Sequence, residues 1–152
     1  MKDLISEANV TFDDDIGITT CTLKDAKNNI FIGEAHCHPD DMDMMNRLTG
    51  SEIAYRRAYI KFLKYMRDTE FVPQLSILKH MYSCMEQAAD FNPKDNNIRL
   101  MKRAIDNYSA AVDMIRAAVR DERNDLHAYM TDKAKLYKLI RDRRASNMAK
   151  NN

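Results

Sequence analysis

The stretch from Ile32 to Ala58, IGEAHCHPDDMDMMNRLTGSEIAYRRA, crowds His36, Cys37, His38, Asp40, Asp41, Asp43, Arg56 and Arg57 into one short span. In a strand, His36 and His38 point to one face and Cys37 to the other. Such a histidine pair can ligate zinc or copper. A metal site needs three or four converging ligands, and His80 and His127 are isolated in the sequence. Asp41-x-Asp43 opens like a calcium loop, but the glycine required at its sixth position is missing. Nothing in so polar a segment would raise a carboxyl pKa for acid–base work. The chain carries no GxSxG, no glycine-rich phosphate loop, no HExxH and no Cys–His pair in a catalytic setting. These observations predict a protein that is not an enzyme, with no metal and no cofactor, leaving binding or assembly as its work. The span also has a purely structural reading. Pro39 ends a strand, Asp40 and Asp41 cap a short turn through Leu48, and Thr49 with Glu52 forms a capping box that starts a helix.

The elements that position these groups follow from hydrophobic period. Ile16–Leu23 and Ile30–Cys37 are β-branched and roughly alternating, with a turn at Lys24–Asn29 between them. Asn9–Phe12 adds a third short strand, and Asp13–Asp15 a solvated turn. The β unit spans about 9–38. Helix one covers about 50–68, with Ala54, Ala58, Phe62, Tyr65 and Met66 on one face. Arg57, Lys61 and Lys64 lie on another, Arg56 beside them: a solvated basic face, or enough cations for phosphates if an aromatic is near. Helix two covers about 72–90, Pro73 in its first turn, with Phe71, Leu75, Leu78, Tyr82, Met85 and Ala89 as a heptad stripe. Asn92-Pro93 interrupts the chain. Helix three covers about 95–145. From Ile98 through Val112, Ile115, Val119, Leu126 and Tyr129 to Ile140 the apolar steps alternate three and four, interrupted only at Glu122 and Lys133. Heptads sustained this long argue for coiled-coil packing. RDERND at Arg120–Asp125 either continues this helix or splits it. The expected fold is α+β in a single domain over 1–152: a small N-terminal antiparallel sheet followed by long C-terminal helices in coiled-coil-like packing. Helix three has more seam than helix two can cover, which predicts a homo-oligomer.

Composition fits that fold. Of 152 residues 45% are hydrophobic and 31% charged, as in a globular domain. The net charge of +1 argues against bulk attraction to nucleic acid or an anionic membrane. Cys21, Cys37 and Cys84 are an odd, scattered set, which points to a reducing cytoplasm rather than a disulfide framework. No signal peptide is recognisable, and no run approaches the roughly 18 apolar residues of a membrane span.

The order of parts resembles a known family. Gly33, Ala35, Cys37, Pro39, Asp40 and Asp41 end the hairpin; Thr49, Gly50, Ile53, Ala54, Arg57, Ala58, Ile60 and Lys61 open the first helix. With the long helices behind them, these residues look like the first-described Thoeris anti-defence family of phages, over about Ile16–Arg144. Members of that family are sponges. They sequester the cyclic ADP-ribose isomers made by TIR-domain proteins without degrading them, and some also bind cyclic oligonucleotide signals of the CBASS system. They assemble as dimers or hexamers. The resemblance implies a small cyclic nucleotide as partner, the cytoplasm of an infected bacterium as location, and a site with an aromatic on the adenine and Asn and Arg on ribose and phosphates. Tyr82 and Asn92 stand where the first two belong; Arg99, Arg103 and Arg116 are candidates for the helix arginine. The residue chemistry agrees: phosphates need cations, a base needs an aromatic face, and an amide gives directional bonds. Arg57 and Lys61 are the candidates from helix one. Tyr82 also fits the apolar stripe and Asn92 also fits a helix cap. Two other functions compete: a coiled-coil assembly protein of a phage with no ligand, and a nucleic-acid binder using Arg56, Arg57, Lys61, Lys64 and Arg67, which the near-neutral charge disfavours.

Overall fold

The computed structural model describes residues 2–38, 41–42, 46–88 and 90–150. Three strands form an antiparallel sheet in the order β1 (Ile5–Asp13), β2 (Ile18–Asp25), β3 (Ile30–His36). The helices are α1 (Arg47–Tyr65), α2 (Val72–Glu86) and α3 (Asn96–Lys150). The fold is α+β, a small N-terminal sheet followed by long helices. The chain sorts into two compact units, Met1–Phe62 with Asp121–Asn152, and Leu63–Arg120.

In the first unit, alternation puts Thr19, Cys21, Leu23 and Asp25 of β2 and Phe31, Gly33 and Ala35 of β3 on the buried face of the sheet. Ala54, Ala58 and Phe62 of α1 pack on it, all 0% exposed. Phe31 and Phe62 meet edge to face, centroids 5.4 Å apart. The approach is so close that a Cβ on Gly33 would collide with the Ala54 carbonyl and the Ala58 amide, and one on Gly50 with the Thr19 hydroxyl. Small residues at these positions let the helix backbone lie directly on the strands.

Several boundaries differ from the sequence reading. The first strand is not a short piece over 9–12 but runs from Ile5, because Ser6 ties it to β2 by donating to the carbonyls of Lys24 and Asp25. Helix one begins at Arg47 rather than near Gly50. Asn46 caps it, its Oδ1 accepting from the amides of Leu48 and Thr49 at 2.9 and 3.1 Å. The Thr49–Glu52 capping box does not form: Thr49 lies inside the helix, buried, and Glu52 holds Arg56 instead. No loop separates helices one and two. A π-helical stretch, Met66–Phe71, carries the chain from one into the next. Helix two ends at Glu86 rather than 90. Pro39, Asp40, Asp43 and Ala89 lie outside the described residues. α3 runs unbroken through RDERND.

In the second unit the seam of α3 buries Ile98, Val112, Ile115 and Val119, and Phe71 packs on Tyr108 with centroids 6.1 Å apart. The stripe of α2 is only half-covered; none of its residues is buried.

Candidate functional site

The sequence candidates fall into both units. In the second, Tyr82 of α2 meets Phe91 edge-on, centroids 6.3 Å apart at 85°. Asn92 follows at once. Its Oδ1 accepts from the Lys94 amide at 3.0 Å and its carbonyl from the Asp95 amide, so it shapes the turn. The cap of α3 is Asp95, whose Oδ1 accepts from the amides of Asn97 and Ile98. Arg99, Lys102 and Arg103 follow within two turns. All three are exposed, and none has an ion-pair partner among the described residues. Arg116, further along, pairs with Asp113 at 3.1 Å.

In the first unit Arg57 and Lys61 are not a free basic face. Arg57 Nη1 donates to the Glu34 carbonyl at 2.5 Å and Lys61 Nζ to the Ile32 carbonyl at 2.6 Å. The amide of Cys37 bonds to Gly17 and that of Asp25 to Asn29, so the odd-numbered residues of β3 face β2. The carbonyls of Ile32 and Glu34 therefore point off the sheet edge, and the two cations cap them. Arg56 is engaged as well. It holds Glu52 at 2.6 Å and Glu122 at 3.3 Å, with Asp125 at 3.8 Å, and the hydrogen bond to Glu52 outweighs burial in raising its pKa. Arg67 is bound by Asp68. The row of cations that suggested nucleic acid is thus largely spent on protein acceptors. Glu122, one of the two interruptions of the heptad, is there to meet Arg56.

The other interruption, Lys133, leads to a feature that sequence reasoning missed. A cavity of about 280 Å³ lies in the first unit, at the joint between β3 and α1. Its lining includes Ala35 and His36 at the end of β3, then Cys37, His38 and Asp41, with Thr49, Gly50 and Ile53 of α1 and Met130, Lys133, Ala134 and Tyr137 of α3. The stretch read as a mere joint therefore lines a pocket. The signal was Lys133 on an apolar seam. Among the described residues no three His, Cys, Asp or Glu side chains converge as a metal would require. His36 lies 3.4 Å from Glu34. Asp41 faces Arg141, Oδ1 to Nη1 3.2 Å. This is an ion contact that does not meet hydrogen-bond geometry, so the buried Oδ1 accepts no hydrogen bond.

Of the thiols, Cys21 is fully buried and burial pushes its pKa up, which makes it inert. Cys84 stands 3.8 Å from His80 on an exposed face of α2. The spacing of four could have revealed this pair, but no third group among the described residues orients the imidazole. No described helix is long and apolar enough to cross a membrane. No family model, no curated protein and no solved structure matches this chain.

Proposed function

We propose that this chain is a phage anti-defence protein that binds and sequesters a cyclic ADP-ribose-type signal, and by extension a cyclic oligonucleotide signal, without degrading it. The observation that carries the reading lies in the second unit. An aromatic pair, Tyr82 with Phe91, an amide, Asn92, and three cations without an ion-pair partner among the described residues, Arg99, Lys102 and Arg103, follow one another along α2, the connection and the start of α3. An aromatic edge and face suit adenine, the amide suits ribose hydroxyls, and free cations suit two phosphates. Sequestration needs no nucleophile, so no catalytic residue, metal or cofactor is assigned. Arg116 would have to share itself with Asp113, and Arg57 and Lys61 would first have to leave their strand carbonyls. The protein acts in the cytoplasm of the infected host, where the signal is made, and as a homo-oligomer, because α3 leaves Leu136 and Leu139 47% and 66% exposed on its surface.

The test is calorimetric titration with cyclic ADP-ribose isomers, followed by heat denaturation and chromatography of the released ligand. Tight binding with intact ligand recovered is the expected result. A degraded ligand would make the protein an enzyme. No heat with any isomer or cyclic oligonucleotide would leave the exposed seam as the main feature and favour a phage assembly protein without a ligand.

A further inference from the structure

We propose that the cavity at the β3–α1 joint is a second, separate binding site, for a small α-amino or α-hydroxy acid with an apolar side chain. Its volume of about 280 Å³ falls just below the range of clefts for drug-sized ligands. It suits a metabolite much smaller than a cyclic dinucleotide-like signal.

Three features of the wall define the chemistry. Ala35, Ile53, Met130 and Ala134 give an apolar surface for a side chain. Lys133 occupies a seam position and is half-buried, yet no carboxylate pairs with it among the described residues; its ammonium lies over the Tyr129 ring at 5.3 Å. A half-buried lysine that lines a cavity and has no carboxylate partner among the described residues calls for an anion. The second polar group of the wall is the buried Asp41 Oδ1, which has an ion contact with Arg141 at 3.2 Å but accepts no hydrogen bond. A buried acceptor left unbonded is costly, and an N–H or O–H on the ligand would satisfy it. One small molecule answers all three demands: a carboxylate for Lys133, an adjacent amine or hydroxyl for Asp41, and an apolar body for the remaining wall.

The experiment titrates the full chain with L-phenylalanine, L-phenyllactate, 3-phenylpropionate, which lacks the donor, and phenethylamine, which lacks the carboxylate. Binding of L-phenylalanine or L-phenyllactate is expected, and whichever binds tighter identifies amine or hydroxyl. Each truncated probe should bind at least about tenfold more weakly. Lys133→Met, which keeps the length and apolar stem, should lose the carboxylate ligand by a similar factor with an unchanged melting temperature. Asp41→Asn should erase the advantage of the donor-bearing probes over 3-phenylpropionate. Failure of all four probes overturns the proposal, and so does undiminished binding by Lys133→Met. The site does not rest on the cyclic-nucleotide reading: a protein that binds no cyclic nucleotide can still bind these acids, and the converse also holds.

Discussion

Arg99 and Arg103 are long cations with no ion-pair partner among the described residues, and that sets them apart from Arg56, Arg57 and Arg67, which protein acceptors already occupy. If the second unit binds diphosphates, Arg99→Ala and Arg103→Ala should each cost about 1.5–3 kcal/mol of affinity, the worth of a charged hydrogen bond. Melting temperature should hardly move. Calorimetry on both variants checks this, and unchanged affinity in both would remove them from the site. Asp25 shows the opposite economy. Burial pushes its carboxyl up, but hydrogen bonds from the Asn29 side chain and from the Asn29 and Lys27 amides outweigh burial and hold it below its ordinary value. A pKa lowered on folding contributes stability above the unfolded value, near 3.9 for an aspartate. That contribution is lost as pH falls through the lower folded value. Asp25→Asn should therefore flatten the fall in stability below about pH 4, as urea titrations across that range will show.

At the scale of elements, four of the residues that carried the family resemblance prove to be packing residues. Gly33, Ala54 and Ala58 set α1 on β3, and Gly50 sets it on β2. The motif was legible because close backbone approach admits so few side chains. It speaks for a scaffold first, and for a ligand only through that scaffold. Gly33→Ala should destabilise the fold by about 3 kcal/mol, the upper end for overpacking, because backbone atoms rather than flexible side-chain ends stand in the way; a urea midpoint within error of the parent protein would contradict this close approach. The helices themselves were legible from their heptads. Their junctions were not. Nothing in Met66–Phe71 distinguishes a π-helical stretch from a loop, since both leave the apolar period out of step. Asn46 was overlooked as a cap because Thr49 and Glu52 three residues later form the better-known pattern. Lys133 was noted as an interruption, but its pocket depends on strand, helix start and α3 meeting, which no local pattern encodes.

For the whole molecule, apolar surface remains uncovered. Leu136, Leu139 and Met148 of α3 and Ile30 and Ile32 of the outer sheet face are exposed. Exposed apolar side chains such as these are what a partner chain would cover. Sedimentation should show an oligomer at micromolar concentration, and Leu136→Glu with Leu139→Glu should shift it towards monomer without loss of helicity. A parent protein that is monomeric throughout would refute the homo-oligomer.

The capped edge of β3 has a consequence for how the sheet behaves in company. Arg57 and Lys61 occupy the carbonyls through which another strand would add, while β1, at the opposite side, carries no comparable guard among the described residues. A sheet with two open sides can recruit strands without end, the route to fibres. One with a single open side can accept one neighbour only. If two such chains joined through β1, both outer margins would be guarded and growth would stop at two. Two basic side chains would thereby make such strand addition self-limiting.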